Sequence, residues 1–403
     1  MPRIAIASLK PGMVVASDVV TEQGRVILQR GKKVESFHLQ LLKGLCIEAV
    51  EIEAPSGDSD REEQAAAYAR DFFAFVNPDS QVMIELFRFA TGLVGARLAE
   101  GWIPPSLSER RAQNVEQLED VFPVEFADPA RIVAHETELT SFPDIYFKLK
   151  EEAESPKASV RTLTDLVSRD MGLTAKLLKL ANSPLYGLPE SVESIERAIA
   201  IIGIQELSTL ALGITAINYF HGIPPELVDM RRFWRHSIST GLIAKIIANA
   251  IGEMKNERFF IAGLLHDCGR LILFKKLPYA STEALLYARE NFVPIVEAER
   301  TVFEFTHTDL STELLANWQF PKHIAELINF HHNPQDGPDP RLNAVVHVAD
   351  IMANAVDIAA DGMYVLPPFD EAAWNALGLP PSAVGRVMTA FETEVMETMR
   401  AFV

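Results

Sequence analysis

The chain has 403 residues, enough for two or three domains, and its 48% hydrophobic content is ample for large buried cores. Lys and Arg number 37 against 55 Asp and Glu, a formal charge of −18, which argues against a broad electrostatic grip on a nucleic-acid polymer or an anionic membrane. Two cysteines, a start without the apolar run of a signal peptide, and apolar stretches interrupted by Glu206 and Lys245 lead us to expect a cytoplasmic protein with no disulfide framework and no membrane span.

Residues 1–55 read as a small β-rich unit. Val14-Val15-Ala16, Val19-Val20, Val26-Ile27-Leu28 and Ala49-Val50-Glu51-Ile52 are short β-prone runs, punctuated by Pro11-Gly12, Gly24 and Gly31. A short helix is expected over 36–43, with His38 on its exposed side. The unit carries no catalytic constellation and is too small to bury much by itself, so it is expected to dock on the helical segments carboxy-terminal to it.

Residues 56–127 read as a linker followed by helix. The polar run from Pro55 to Glu63 leads into Phe72, Phe73, Phe75 and Val76, then Met83, Leu86, Phe87, Phe89 and Leu93 at mixed threes and fours. Aromatics at that spacing suit a packed core. The body, 128–350, is helical throughout by pattern, with one helix starting at Pro143 and another over 162–170 for which Thr162 is the expected cap. A carboxy-terminal extension, 351–403, is broken by Pro367-Pro368 and Pro380-Pro381. Its last apolar stripe, Phe391, Val395 and Met399, is expected to pack on the body or on a second subunit.

The chemistry concentrates around Gly263-Leu-Leu-His-Asp-Cys-Gly-Arg270, where His266 and Asp267 sit in a stretch expected to be one helix, apolar on nearly every side and therefore buried. A buried carboxylate needs a partner, and a metal ion suits an imidazole and a carboxylate together. Further inward-facing candidates occur at the helical period. His236 shares a face with Thr240, Ile243 and Ile247, and the helix bearing the doublet would run back antiparallel to it. His307 precedes Leu310, Leu314 and Trp318; His331 follows Ile324 and Leu327 or Ile328, with His332 beside it; Asp350 lies between Val346 and Asn354 in an apolar helix. Any one of these could be a satisfied core histidine or a capping acid. Seven such groups aimed inward are harder to explain that way.

Three linked motifs in the body, Asp170-Met-Gly-Leu-Thr-Ala-Lys-Leu-Leu178, Ala181-Asn-Ser-Pro-Leu-Tyr-Gly187 and Ser194-Ile-Glu-Arg-Ala-Ile199 with Gly203, closely resemble the signature of the HDOD domain, an HD-related output domain of bacterial signalling proteins. The resemblance covers roughly 130–350. It implies a mainly α fold, an all-helical HD-type body behind a small β-containing amino-terminal domain. Leu9-Lys-Pro-Gly-Met-Val-Val-Ala-Ser-Asp18, with Gly24 and Gly31, resembles the regulatory unit found before HD-GYP phosphodiesterase domains.

The resemblance further implies two divalent transition-metal ions, Mn, Fe or Ni. His236, His266, Asp267 and Asp350 would hold the first, and Asp267 would bridge to a second held by His307, His331 and His332. Arg270 stands where HD-GYP proteins usually have Lys, and can grip a phosphate oxygen through two donors. Asp267 and Arg270 are therefore the expected catalytic residues. Two departures from the HD-GYP pattern weigh against cyclic di-GMP hydrolysis: the run after His332 lacks the Glu and the Gly-Tyr-Pro motif, and Arg232 occupies a position where some relatives carry an extra Glu ligand.

Three readings are open at this point. The first is a metal-dependent phosphohydrolase or phosphodiesterase acting on a nucleotide or cyclic dinucleotide. The second is a non-catalytic signalling module with a structural or sensory metal and a protein partner. The third is an iron-based redox or oxygen sensor.

Overall fold

The structure is a computed structural model. It describes the chain apart from residues 1–2, 7–8, 10–12, 21–25, 46, 48, 52–57, 113–143, 156–157, 185, 187–190, 221–222, 224, 226, 255, 358–364 and 403. Pro11, Gly12, Gly24, Cys46, Pro55, the expected start of the body near 128, Pro143, Leu185 and Gly187 therefore lie outside the described residues.

The amino-terminal β-prone runs form two separate antiparallel ladders. Strand β1 (Arg3–Ala5) pairs with β4 (Ala49–Glu51), with Ile4 opposite Val50, and β2 (Val19–Val20) pairs with β3 (Val26–Leu28). Helix α1 (Ser36–Gly44) joins them. Val15, Leu28, Val34, Leu42 and Val50 are almost wholly buried and make a small core of their own, with Ile103 against it. His38 departs from its expected exposed position: it is buried, because its ring folds back to the start of α1, where Nδ1 accepts from the Glu35 N–H at 2.9 Å.

Helix α2 (Asp58–Phe72) begins inside the stretch that reads as a linker. It pairs with α3 (Gln81–Ala99), whose Ser80 cap accepts from the Met83 N–H. Ala65, Tyr68, Ala69 and Phe72 pack on Ala90, Val94 and Leu98, while Val82, Met83 and Leu86 of α3 enter the main core. Phe75 is 40% exposed and meets Phe292 rather than a core.

After α4 (Leu107–Ala112), the described body runs through α5 (Asp144–Glu154), α6 (Val160–Val167), α7 (Met171–Ala181), α8 (Ile195–Ile202) and α9 (Ile204–Tyr219). Ser159, not Thr162, caps α6, accepting from the Thr162 N–H at 3.1 Å: the helix starts three residues earlier than the pattern suggests. Asp170 and Ser194 cap α7 and α8, and Gly203, at φ +105°, makes the bend into α9.

The site is carried by the next group of elements: α10 (Met230–Ala250), α11 (Glu257–Leu265), α12 (Cys268–Lys276), α13 (Pro278–Asn291), α14 (Ile295–Phe303), α15 (His307–Asn317), α16 (Lys322–Asn329), a 3-10 turn (Pro334–Asp336) and α17 (Pro340–Val356). Helices α10, α11 and α17 pack on one another, and almost every residue of α17 from Asn343 to Ala355 is buried. Two last helices, α18 (Glu371–Leu377) and α19 (Ala383–Phe402), close the chain over this body, with Trp374, Val384, Met388 and Phe391 in the same core. No single described helix is long and apolar enough to cross a membrane.

Candidate metal centre

Glycines at the helix contacts bring the histidines together. A Cβ on Gly263 of α11 would lie 2.6 Å from the backbone nitrogen of Gly241 and 2.7 Å from its Cα, so α10 and α11 touch backbone to backbone. That approach sets His236, on α10, beside His266, with ring centroids 5.2 Å apart. His266 and Asp267 are not inside one helix as the apolar pattern suggests. Helix α11 ends at Leu265 and α12 begins at Cys268, with Asp267 leaving helical geometry at φ −97° and ψ 10°. Gly269, on the first turn of α12, then lies against the His307 carbonyl so closely that any Cβ would collide with it. The doublet sits at a corner, which lets its two side chains face a common centre.

His307 opens α15 behind a capping box made by Thr306 and Asp309. His331 and His332 follow the end of α16, and Asp350 projects from the middle of α17. All seven expected residues thus converge. Asp267, His307, His331 and His332 offer ligand atoms within 4.8 Å of one another; so do His236, His266 and Asp267, and so do His266, His331 and Asp350.

The hydrogen bonds orient these rings inward. His266 Nδ1–H donates to the Gly263 carbonyl at 2.7 Å, and His331 Nδ1–H donates to the Ile328 carbonyl at 2.7 Å. Each bond leaves Nε2 as a lone pair aimed at the centre, and neither Nε2 has a hydrogen-bond partner among the described residues. Asp267 Oδ1 is likewise buried without a partner in hydrogen-bond geometry, 3.2 Å from His307 Nε2 and 4.0 Å from His331 Nε2. His236 Nε2 lies 3.1 Å and His266 Nε2 3.5 Å from Asp350 Oδ1. Unsatisfied buried imidazole nitrogens and a carboxylate oxygen, converging on one point, fit divalent transition-metal ions.

Charge points the same way. Asp267, Asp350 and Glu299 are buried carboxylates near the guanidinium of Arg270. Burial alone would raise the Asp267 carboxyl, but Arg270, His266 and His307 outweigh it and hold the group well below the usual range. Burial is likewise outweighed at Asp350, by the neighbouring imidazoles of His236 and His266, and its carboxyl is held well below the usual range. At His331 burial dominates, helped by the neighbouring His266 and His307, and its pKa is pushed down to about 3. His332 is also held well below its ordinary value, mainly by burial. Both imidazoles are thus kept neutral, the form that ligates a metal. At His307 burial is overcome by Glu299, and the pKa rises to about 9. His307 Nε2 lies 3.1 Å from His332 Nε2.

A cavity of about 190 Å³ opens over this cluster. His236, Asp267, Arg270, His332, Asp350 and Asn354 line it on one side, and Phe233, Phe274, Leu285 and Ile295 are among its apolar walls. Arg270 donates from Nη1 to Asp267 Oδ2 at 2.7 Å and from Nε to Glu299 Oε1 at 3.3 Å. Arg232 lies a turn before His236, 4.0 Å from its own helix cap Asp229, and is not among the cavity-lining residues.

Three supporting residues went unseen in the sequence. Glu299 binds both His307 and Arg270; Asp357 pairs with Arg235 at 2.8 Å and lies 3.8 Å from His236 Nδ1; Asn354 donates to Asp350 Oδ1 at 2.8 Å. Asn354 had a signal, a polar side chain one turn beyond Asp350 in an apolar helix. Glu299 had a fainter one, lying four residues from both Ile295 and Phe303 and so on the buried stripe of α14. His347 is buried but serves elsewhere, its Nδ1–H donating to the His331 carbonyl and its Nε2 accepting from the Asp370 N–H.

A helical body with histidines and aspartates converging from five helices and the corners between them defines an HD-type protein. Residues 139–334 match the model of the HDOD domain, so the chain carries an HDOD domain over that stretch. That match includes every residue of the cluster except Asp350. Among solved structures, the chain is similar to an HDOD domain protein of unknown function from Geobacter sulfurreducens, at 21% identity over 74% of this chain and 98% of that one, with a TM-score of 0.51. It is also similar to a protein from Shewanella amazonensis SB2B named as a candidate phosphohydrolase, at 19% identity over 67% and 99%, TM-score 0.53. These likenesses establish the fold. An uncharacterized protein of Treponema pallidum is 23% identical over 203 residues, 50% of this chain and 39% of that one. YuxH of Bacillus subtilis is 29% identical over 82 residues, 20% of each. The chain therefore matches about two fifths and one fifth of the length of these curated relatives.

Proposed function

We propose that this chain is a signalling protein whose HDOD domain holds two divalent transition-metal ions and hydrolyses a phosphoester of a nucleotide or cyclic dinucleotide. The observation that carries this reading is the convergence of unpartnered His266 Nε2, His331 Nε2 and Asp267 Oδ1 in a buried, carboxylate-rich centre beneath a cavity. His236, His266, Asp267 and Asp350 would hold one ion, and Asp267, His307, His331 and His332 the other. Bound there, such a pair supplies Lewis acidity and a water of lowered pKa.

The chain's own residues do the rest. The carbonyls of Gly263 and Ile328 fix the tautomers of His266 and His331. Asn354 orients Asp350. Arg270 is anchored through two of its five donors, and its remaining N–H groups serve a phosphate oxygen in the cavity. The apolar walls hold the rest of the ligand and limit water at the reacting centre. Burial pushes the Cys268 thiol up to about 12, so it takes no part as a nucleophile.

Two observations favour the binding-module reading: Arg270 already spans Asp267 and Glu299, and no Gly-Tyr-Pro loop follows His332. The test is turnover of bis(p-nitrophenyl) phosphate and a panel of nucleotides by protein reconstituted with Mn, Fe or Ni. Hydrolysis that chelator removes and Asp267→Asn abolishes is expected. Saturable ligand binding without turnover under every metal would place the chain among the non-catalytic modules.

A further inference from the structure

We infer that Glu299 is a positioning residue that ties the second metal site to the phosphate grip. The inference rests on the two-metal reading above. Glu299 is 2% exposed on α14, outside the expected ligand set. Its Oε2 accepts from the His307 backbone N–H at 3.0 Å and from His307 Nδ1–H at 2.6 Å, while Oε1 accepts from Arg270 Nε at 3.3 Å.

The circuit then closes on itself. Arg270 Nη1 reaches Asp267 Oδ2 at 2.7 Å, and Asp267 Oδ1 lies 3.2 Å from His307 Nε2. Glu299, Arg270, Asp267 and His307 form a closed ring, in which each member contacts the next. One carboxylate therefore fixes two things: which nitrogen His307 turns toward the centre, and where the guanidinium stands over the cavity. A carboxylate serving only to satisfy the amino terminus of α15 would need the backbone N–H alone. Glu299 spends its second oxygen on Arg270, a cavity residue seated on the carboxylate shared by both ion sites.

Neutralising Glu299 breaks the ring at two points. A Gln at that position presents one oxygen and one NH2 group, and so cannot accept from both His307 and Arg270. The second ion should then bind about 10- to 100-fold more weakly, the range found when an outer partner of a metal-ligating histidine is removed. Arg270, released on one side, should lose much of its grip on a phosphate oxygen. The first ion, on His236, His266, Asp267 and Asp350, should stay.

The experiment is Mn(II) titration of full-length wild type and Glu299→Gln, followed by electron paramagnetic resonance, with inorganic phosphate binding measured on the loaded proteins. Wild type should take up two ions and show the exchange-coupled spectrum of a pair. Glu299→Gln should hold one ion tightly, show the spectrum of isolated Mn(II), and bind phosphate more weakly. Glu299→Asp keeps the charge but is one methylene too short to reach both partners; it should show the same loss, and it carries the test if the Gln variant does not fold. Two ions bound with wild-type affinity and a coupled spectrum in either variant, even with a lowered melting temperature, would reduce Glu299 to a structural residue and overturn the inference. A wild type that accepts no second ion contradicts the functional reading itself, and the assignment with it.

Discussion

Gly263→Ala tests whether the helix contact builds the site. The added methyl would lie 2.6 Å from Gly241 N, 2.7 Å from Gly241 Cα and 2.8 Å from the Thr240 carbonyl carbon, whereas ordinary contact begins at 3.4 Å. All three neighbours are backbone, so no side chain can swing away. Helices α10 and α11 must part by about 0.8 Å, or tilt by an equivalent amount. Overpacking of this kind costs about 1–3 kcal/mol, against a helix-propensity gain of about 1 kcal/mol for Gly to Ala. The net loss of stability should be about 0–2 kcal/mol, which alone is unremarkable. The sharper effect is on the metal: His236 moves with α10 and His266 with α11, so a separation of that size exceeds the few tenths of an ångström that metal–ligand distances tolerate. Mn(II) affinity measured by calorimetry should fall at least tenfold. Gly385→Ala is the control, an exposed position in α19 with nothing within 4 Å of the new methyl. It should raise stability by about 0.5–1 kcal/mol and leave affinity alone. Equal metal affinity in Gly263→Ala and wild type would refute the reasoning.

Other outcomes are expected from the same geometry. In chelator, folding stability measured by urea unfolding should peak near pH 6.5. His307, raised to about 9 in the fold, contributes stability that is complete below its ordinary 6.5 and is lost as pH climbs through 9; His331, lowered to about 3, weakens the fold as pH drops from 6.5 toward 3. A metal-free stability that rises steadily to pH 9 contradicts this. Arg270→Lys keeps the charge but cannot span Asp267 and Glu299 as a fork, so KM for a phosphoester substrate should rise while metal content stays near wild type. Chelator should lower the melting temperature of wild type, because ions bound only to the native state stabilise it, whereas a His266→Ala variant should respond less.

How much of this the sequence revealed depends on the range of each interaction. The inward faces of α10, α15 and α17 were legible because His236, His307 and Asp350 sit on apolar stripes of helical period, and that period is local. The corner at His266-Asp267 was not, because a helix that turns within a wholly apolar segment leaves no polar mark. What permits it is Gly269 against His307 and Gly263 against Gly241, contacts between segments far apart in the chain. Glu299 was missed for a related reason: its partners His307 and Arg270 lie on other helices, and an acid on a half-buried helix looks like a solvated one until those partners are in place. Ser159 in place of Thr162 is a smaller case, two hydroxyls three residues apart either of which can cap.

Metal content per chain is the most direct test of the two-ion centre, measured by elemental analysis on protein purified without chelator and then reconstituted with Mn, Fe or Ni. Two ions per wild-type chain, one in His332→Ala and none in Asp267→Ala, whose carboxylate both sites share, is the predicted result. A wild type that binds no ion under any of these conditions would contradict the two-metal centre outright.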